Sequence, residues 1–280
     1  MISISPLSDV LGAEVVGVDF QAVTQDDVER MTAAFLQHHL LCVRAPPLSP
    51  GQFEGFAEHF GVPQTQLIRS KRDGDVPSVS MLDSTYQRPE DKPVDLELVR
   101  LSGWHTDDSY FAKPAKATVL QSLAIPSSGG QTKFLNTRRA WESAPVDLRD
   151  RLRGRRAVHQ YDTPRAKARA EKRSADEHAE TPDVVHPLVR IHEESAIEAI
   201  YFNPNRTDRV LGLTAEESSQ LLDELHAYLR QEAFQYVHEW RVGDILLWDN
   251  RCLLHAVNTD YPVGESRRHQ RILLRGATPR

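Results

Sequence analysis

Short apolar runs, separated by turn residues, make up most of the hydrophobic pattern of this chain. The runs predict strands near residues 2–5 and 13–18, and further strands at Leu40–Val43, Val79–Leu82, Ala117–Leu123, Leu188–Ile191, Ala199–Asn203, Ile245–Trp248 and Arg271–Arg275. Turn signals lie on both sides of the Ile245–Trp248 run, and another strand is expected after the second turn. Many short strands joined by turns favour a fold that is mainly β, with two sheets closed on one another.

Helices are predicted where an apolar stripe at helical spacing follows a capping signal. Thr24 is the predicted N-cap of a first helix, with Val28, Met31, Phe35 and Leu36 as its stripe. A capping box at Ser49–Gln52, with proline at the first helical position, opens a helix that carries Phe53, Phe56 and Phe60. A second box at Thr214–Glu217 opens a helix with a leucine stripe, and shorter helical pieces are expected around 137–154. We therefore expect helices that flank the sheets.

No internal repeat or linker marks a second domain, so a single domain over residues 1–280 is predicted. Residues 62–104 are rich in proline and charge, which suggests a loop over the functional site. The stretch Pro164–Glu180 holds ten residues that are charged or histidine, and no large apolar side chain. It predicts a solvated helix or a mobile lid, within a lid or loop insertion around residues 160–185.

Composition indicates a soluble enzyme and excludes several other classes. The formal net charge is −6 and no basic face is visible, so nucleic acid is not expected as a partner. No apolar run reaches the roughly 18 to 20 residues of a membrane helix, and the N-terminus lacks a secretory pattern. Cys42 and Cys252 lie in or beside apolar runs and are interpreted as reduced, buried thiols. A cytoplasmic protein that acts on a small acidic molecule is expected, and both a monomer and a homo-oligomer are compatible with the sequence.

Two histidines and one aspartate form the candidate metal site. His105 and Asp107 are two residues apart, and on an extended segment both side chains would leave the same face. His255, which lies 150 residues after His105, would complete a set of two imidazoles and one carboxylate. Such a set leaves half of an octahedral coordination sphere open, as a non-haem Fe(II) oxygenase requires.

Two arginines after His255 predict a site for carboxylate-bearing ligands. Arg271 and Arg275 flank an apolar strand and have the same parity, so both guanidinium groups are expected on the face that Leu273 occupies. The apolar residues between them favour burial, and a buried arginine needs an anion.

The order of these motifs resembles the taurine dioxygenase and 2,4-dichlorophenoxyacetate dioxygenase (TauD/TfdA) family. The motifs are W-H-T-D at Trp104–Asp107, G-G-x-T at Gly129–Thr132, W-D-N-R-x-x-x-H at Trp248–His255 and R-x-x-x-R at Arg271–Arg275. Further similarity extends along the chain, at Ile4–Leu7, Leu11–Val15, His59–Gly61 and His186–Arg190. The resemblance implies an oxygenase that depends on Fe(II), 2-oxoglutarate and O₂. It agrees with a double-stranded β-helix, or jelly roll, which can bring these distant segments together.

The resemblance also implies roles for individual residues. His105, Asp107 and His255 would bind iron, and Thr132 and Arg271 would hold the distal carboxylate of 2-oxoglutarate. That carboxylate needs a planar, permanently charged partner, which arginine supplies. Arg275 would meet the acidic group of the prime substrate.

Two positions depart from the taurine enzymes. Gln66 stands where they carry a substrate-binding histidine, and Asp108 replaces an apolar residue directly after the metal aspartate. A buried carboxylate at 108 favours a substrate with an amine or hydroxyl group over taurine or an aryloxyacetate. The expected reaction is hydroxylation of a small polar acid, with release of succinate and CO₂.

Alternative functions remain at this point. A non-catalytic barrel could serve as a binding module, although a binder has no need of three metal ligands and two arginines. A halogenase of the same type would require a small residue in place of Asp107. A zinc hydrolase fits the ligand identities but leaves the arginine pair unexplained. Another oxidative outcome, such as desaturation, is also compatible with the same site.

Overall fold

Sixteen strands and six helices are present in the computed structural model, which describes residues 1–85, 103–165 and 174–280. The strands are β1 (Ser3–Pro6), β2 (Ala13–Val16), β3 (Leu40–Val43), β4 (Pro63–Gln64), β5 (Ser80–Asp83), β6 (Ala117–Ala124), β7 (Thr132–Asn136), β8 (Arg156–His159), β9 (Val184–Pro187), β10 (Val189–Ile191), β11 (Glu198–Ile200), β12 (Thr207–Val210), β13 (Gln235–His238), β14 (Ile245–Asp249), β15 (Leu253–Val257) and β16 (Arg268–Leu274). The helices are α1 (Gln25–His38), α2 (Pro50–Glu58), α3 (Thr137–Glu142), α4 (Val146–Leu152), α5 (Ala175–Ala179) and α6 (Ala215–Leu229).

A large sheet forms the frame of the protein. Its strand order is β1-β2-β3-β14-β6-β16-β4, and β5 also pairs with β16. All of these pairs are antiparallel except β2 with β3. A smaller antiparallel sheet has the order β13-β7-β15, and two minor sheets are formed by β12-β8-β9 and by β10-β11.

Alternation of side chains along the strands separates the core into layers. In β14, Ile245 and Leu247 pack with α1 and α2, whereas Leu246 and Trp248 pack with Phe134 of β7 and Leu253 of β15. These last contacts join the large sheet to the small one. On the outer face of the small sheet, leucines of β7 and β15 pack against α3, α4 and α6. Two sheets face each other, with helices on both outer sides.

The predicted jelly-roll architecture, mainly β with flanking helices, is confirmed at the level of the fold class. Thr24, Ser49 and Thr214 each cap a helix through a complete capping box. Cys42 and Cys252 are free and buried. No helix in the described ranges combines the length and the apolar character that a membrane span requires.

Several predicted boundaries were wrong. Phe60 lies beyond the end of α2, and the strand expected over Ala199–Asn203 ends at Ile200. The backbone N–H of Asn203 donates to the Thr207 hydroxyl instead of a neighbouring strand, because Asn203 opens the turn at residues 204–206. The strands β8, β12 and β13 were not predicted, because their short runs mix polar or charged residues with apolar ones and show no clear periodicity.

The two loop predictions fall partly outside the described residues. Residues 86–102 of the expected loop over the site and residues 166–173 of the expected lid are not described. The described part of the lid contains the short helix α5, whose residues are exposed except Glu177. Glu177 accepts a hydrogen bond from the Arg69 backbone at 3.0 Å, and Glu180 forms an ion pair with the Arg69 side chain. These contacts join α5 to the segment after β4.

A buried ionic network fixes the turn between β14 and β15. The two carboxylate oxygens of Asp249 accept hydrogen bonds from Arg251 Nε and Nη2 and from His192 Nε2, each at 2.8 Å. Burial alone would raise the pKa of Asp249, but Arg251 and His192 outweigh it and hold the pKa well below its usual range. The turn that precedes His255 is therefore held by a charge that is fully paired.

Asp249→Asn should lower the free energy of unfolding by about 3–5 kcal/mol, because Arg251 would keep a buried charge without its main partner. Urea denaturation measures the difference. Glu142→Gln is the matched control, since it removes an exposed ion pair with Arg138 (2.9 Å) and should cost no more than about 0.5 kcal/mol. Equal losses in the two variants would contradict a structural role for the Asp249 network.

Candidate metal centre and ligand cavities

His105 and His255 are brought together by the backbone. The two residues form an isolated antiparallel bridge, in which the His105 N–H donates to the His255 carbonyl at 3.0 Å and the reverse bond is 2.8 Å. Their rings lie 4.1 Å apart between centroids. His255 shares its face of β15 with Leu253, so its ring packs against Trp248 in the layer between the two sheets. The bridge thus places both imidazoles at one point of the sheet packing.

Asp107 reaches the same point from a turn, and the extended H-x-D geometry expected from the sequence was wrong. Only His105 lies in a β-bridge, while Asp107 opens a turn in which the Phe111 N–H donates to the Asp108 carbonyl. Asp108 has a left-handed backbone with φ +56°, a conformation that aspartate tolerates better than most residues. The turn is needed because the chain leaves the sheet immediately after His105.

The three side chains can hold a metal ion. His105 Nε2 and His255 Nε2 each lie 3.9 Å from an oxygen of Asp107, and one ligand atom from each residue falls within 4.8 Å of the others. The His105 Nδ1–H donates to the Gly103 carbonyl at 2.8 Å, which leaves Nε2 to the ion. This geometry agrees with a facial set of two histidines and one carboxylate.

The protonation states also fit metal binding. Burial, and then the neighbouring His105, lowers the pKa of His255 to about 3, so its ring is neutral. Burial alone would raise the pKa of Asp107, but His255 and Arg271 lower it to about 2. A neutral imidazole and an ionised carboxylate are the forms that bind a divalent cation.

A directed chain of hydrogen bonds orients the Asp107 carboxylate. Trp248 Nε1 donates to Asn250 Oδ1 at 3.0 Å, and Asn250 Nδ2 donates to Thr118 Oγ1 at 2.8 Å. The Thr118 hydroxyl then donates to Asp107 Oδ2 at 2.6 Å. The direction is fixed at both ends, because an indole only donates and a carboxylate only accepts. Sequence motifs gave no indication of Thr118.

Two other buried groups of possible ligands lie in the described residues: His39, Asp249 and Cys252, and Cys42, His238 and Asp244. In both groups arginine already engages the carboxylate. Arg251 binds Asp249, and Arg44 donates to Asp244 at 2.5 Å. Burial raises the pKa of both thiols, so neither is a thiolate. These two groups are therefore structural.

Asp108 is buried, but its carboxylate is already satisfied. Tyr110 donates its hydroxyl to Oδ1 at 2.9 Å, and the Gln64 side-chain amide donates to Oδ2. Burial, with the nearby Asp107 charge, raises the pKa of Asp108 to about 6. The expectation that a substrate must supply an amine or hydroxyl group to Asp108 has lost its basis.

Arg271 and Thr132 were both predicted to hold the distal carboxylate of 2-oxoglutarate, but their side chains have different neighbours. Arg271 lies beside the candidate metal centre, with Nη1 at 3.6 Å from Asp107 Oδ1 and Nη2 donating to Gln66 Oε1 at 3.1 Å. Thr132 Oγ1 instead accepts from Trp240 Nε1 at 3.0 Å and from Arg267 Nη2 at 3.4 Å. Arg267, which is buried, occupies the position beside Thr132 that the sequence had suggested for Arg271.

Arg267 was missed although the sequence contained a signal for it. Arg267 and Arg271 also form an R-x-x-x-R pair, four residues before the pair that was chosen. The prediction that Arg271 and Arg275 bind anions assumed that both side chains are buried, and this is wrong for Arg275. That residue is exposed, and Arg271 is partly exposed.

A cavity of about 590 Å³ is linked to the candidate metal centre through Gln66, which lines it and accepts a hydrogen bond from Arg271, the neighbour of Asp107. Its lining includes Gln64, Gln66, Arg72, Tyr110, Lys113 and Arg275. Asp108 does not line the cavity, but its two hydrogen-bond donors, Gln64 and Tyr110, do. Three lining residues are cations, and the one lining carboxylate, Glu180, is paired with Arg69. The cavity therefore favours an anionic ligand.

Comparison with known proteins agrees with this geometry. A family model described as "Taurine catabolism dioxygenase TauD, TfdA family" matches residues 3–275. The chain is 31% identical over 261 residues to an alpha-ketoglutarate-dependent 2,4-dichlorophenoxyacetate dioxygenase of Cupriavidus pinatubonensis, with 90% of each chain covered. It is 28% identical to an alpha-ketoglutarate-dependent sulfate ester dioxygenase of Pseudomonas putida, covering 99% of this chain and 91% of that one. A crystal structure of a taurine dioxygenase from Burkholderia xenovorans superposes with a TM-score of 0.83 at 28% identity, covering 99% and 90% of the two chains.

Thr118→Val should weaken metal binding by about 10- to 100-fold, because the isosteric side chain can no longer orient Asp107. Calorimetric titration of the metal-free protein with Mn(II) measures the affinity. Thr118→Ser should bind nearly as well as the wild type, and Asp107→Ala should not bind.

Thr137→Val is the matched control, because Thr137 is equally buried but its hydroxyl has no hydrogen-bond partner among the described residues. Wild-type Mn(II) affinity in Thr118→Val would show that the hydrogen-bond chain does not position the ligand.

Proposed function

We propose that this chain, which belongs to the TauD, TfdA family of dioxygenases, hydroxylates a small polar acidic substrate with release of succinate and CO₂. Membership in the family makes the protein an Fe(II)- and 2-oxoglutarate-dependent oxidoreductase that also consumes O₂. The observation that carries the substrate proposal is the cationic cavity that Gln66 and Arg271 connect to Asp107, one of the three potential metal ligands. The complete ligand set favours an enzyme over a non-catalytic binding module.

The proposed iron ligands are His105, Asp107 and His255. Bound Fe(II) would couple the oxidative decarboxylation of 2-oxoglutarate to the insertion of one oxygen atom of O₂ into a substrate C–H bond. The protein supplies the orientation of this site: Gly103 fixes the His105 ring, and Thr118 fixes the Asp107 carboxylate. Trp248 packs on the His255 ring, with centroids 4.8 Å apart, and excludes water from that side.

For 2-oxoglutarate, the contacts support a different arginine from the one that the sequence suggested. We assign the distal carboxylate to Arg267 and Thr132, because these two side chains are adjacent and buried. Arg267 has a planar guanidinium, which can bind a carboxylate with two hydrogen bonds. Arg271 is retained as a residue of the metal centre, where its charge would face ligands bound beside Asp107.

Arg275 is the proposed anchor for the acidic group of the substrate. Its side chain lines the 590 Å³ cavity and forms no ion pair among the described residues. Relatives of the chain act on 2,4-dichlorophenoxyacetate, on a sulfate ester and on taurine, which carry a carboxylate, a sulfate and a sulfonate group. Gln66 would line the substrate site as well, since its side chain joins Arg271 to the backbone of Ser78.

Asp108 is proposed to shape this cavity indirectly. Its carboxylate holds Gln64 and Tyr110, which line the wall, and it needs no partner on the substrate. The proposal therefore retains an acidic substrate and no longer requires an amine or hydroxyl group at Asp108. The charge of the cavity, rather than Asp108, is the basis for substrate choice.

Arg267→Ala should weaken 2-oxoglutarate binding by a factor of hundreds or more, because loss of a buried charged partner typically costs about 3–5 kcal/mol. Thr132→Ala should cost about tenfold, as expected for a single hydrogen bond. Anaerobic calorimetry on the Fe(II)-loaded protein measures both. If Arg271→Ala weakens 2-oxoglutarate more than Arg267→Ala does, the sequence-based assignment is correct and this one is wrong.

Arg275→Ala should raise the KM for the acidic substrate about tenfold or more while leaving the KM for 2-oxoglutarate unchanged, because only the substrate anion loses its partner. Substrate-dependent succinate release, screened over small carboxylates, sulfonates and sulfate esters, identifies the substrate and then measures the effect. Arg268→Ala, at an exposed residue of β16 that does not line the cavity, is the control. Efficient coupled turnover of an uncharged compound, unaffected by Arg275→Ala, would refute the substrate proposal.

A further inference from the structure

His269 lies between two arginines on the inner face of β16. Ile272 and Leu274 point away from it into the core beneath α1 and α2, and Gln270 bonds to Leu48 and Gln121 on that same side. Residues of the opposite parity therefore face the space between the sheets. His269 and Arg271 lie on this inner face, and Arg267 stands directly before the first residue of β16, where it contacts Thr132. The three residues thus lead from Thr132 to the candidate metal centre, where Arg271 lies beside Asp107.

Both ring nitrogens of His269 are buried, and neither has a hydrogen-bond partner among the described residues. The ring is 1% exposed, and burial, together with the Arg267 charge, lowers the pKa of His269 well below its usual value. The neutral ring still carries one N–H donor and one acceptor. A buried polar atom without a partner is costly and calls for an explanation such as a ligand. Packing on Trp240, with ring centroids 4.7 Å apart, does not satisfy either nitrogen.

His269 faces a cavity of about 150 Å³. The cavity is lined also by Gly130, Trp240 and Arg267, with Glu239 exposed at its edge and bonded to Gln131. Cavities of about this volume hold a molecule the size of benzene. The carboxylate end of a dicarboxylic 2-oxo acid is of similar size.

The hydrogen-bond directions at this cavity make it a site for an acceptor. Thr132 Oγ1 accepts from Trp240 Nε1 and from Arg267 Nη2, so its own proton has no acceptor among the described residues. Arg267 donates Nε to the Gly130 carbonyl at 3.0 Å, which fixes its plane. Arg267 and His269 thus line the same cavity, and Thr132 lies behind two of its lining residues, Trp240 and Arg267. A carboxylate is the group that can accept from a guanidinium, an imidazole N–H and a hydroxyl.

We infer that His269 donates a ring N–H to the distal carboxylate of bound 2-oxoglutarate, beside Arg267 and Thr132. This inference rests on the proposed function, and it adds a third protein donor to the cosubstrate site. His269 would contribute to the choice of cosubstrate, because a 2-oxo acid without the second carboxylate would leave both ring nitrogens unsatisfied. His269 is thus a specificity-determining residue for the cosubstrate.

The test compares two 2-oxo acids on the Fe(II)-loaded protein under anaerobic conditions, with calorimetry as the readout. His269→Leu should weaken 2-oxoglutarate by about 10- to 100-fold, as expected for a lost hydrogen bond to a charged group. Binding of 2-oxobutanoate, which lacks the distal carboxylate, should change less than twofold. His269→Gln, which keeps an N–H donor, should recover part of the 2-oxoglutarate affinity. His159→Leu is the matched control, because His159 is a buried, neutral histidine that lies outside the cavity.

The outcomes distinguish a failure of the proposed function from a failure of the role inferred for His269. Failure of the wild type to bind 2-oxoglutarate would overturn the proposed function. Wild-type binding with unchanged affinity in His269→Leu, or with equal losses for both 2-oxo acids, would overturn only the role of His269. If His269→Leu does not fold, ¹⁵N NMR of the wild-type imidazole rings with Zn(II) in place of iron provides the measurement. A new protected His269 N–H signal on addition of 2-oxoglutarate supports the inference, and an unchanged signal refutes it.

Discussion

The large sheet packs on the small one through a layer that contains polar as well as apolar side chains. This packing governs both the core and the candidate metal centre. Trp248 illustrates this double role. Its ring packs between the sheets and on His255, while its N–H begins the hydrogen-bond chain that ends at Asp107. A buried polar group must find a partner inside the protein. The packing of the core and the geometry of the candidate metal centre therefore depend on each other, because the same side chains take part in both.

The turn between β14 and β15 fixes the position of His255 within this layer. Asp249 binds Arg251 and His192 on one side, and Asn250 binds Thr118 on the other. The Thr106 hydroxyl also donates to the Asn250 carbonyl, at 2.8 Å. A short polar segment thus holds both parts of the candidate metal centre, although His105 and His255 are 150 residues apart in the chain. This accounts for a compact run of polar residues between two buried apolar strands.

The inner face of β16 determines where anions can bind. His269 and Arg271 are placed along it by the alternation of the strand, while Arg267 stands directly before β16 and Arg275 directly after it. Their surroundings differ, since Arg267 is buried beside Thr132, Arg271 is partly exposed near Asp107, and Arg275 is exposed in the larger cavity. The proposed order of cosubstrate and substrate sites follows from this gradient of burial.

Local patterns of residues were enough to predict several helices and strands and to identify the candidate metal ligands. Capping boxes at Thr24, Ser49 and Thr214 depend on contacts between residues three apart, so they could be predicted without knowledge of the fold. The buried strand and the turn that precede His255 were also predicted from local patterns, namely an apolar run followed by turn residues. The family resemblance, which rested on these motifs, is confirmed by the match over residues 3–275.

Which side chains contact one another followed from the packing of the sheets. Parity predicted that Arg271 and Arg275 share a face, but parity cannot distinguish them from Arg267, which has the same parity and is the residue beside Thr132. The hydrogen bond from Gln64 to Asp108 could not be predicted either, because Gln64 lies 44 residues before Asp108 in the chain. Thr118 had no motif of its own, since its role comes from a contact with Asp107 and Asn250 across strands. Burial and long-range hydrogen bonds arise from how the sheets pack, and a linear pattern of residues does not contain that information.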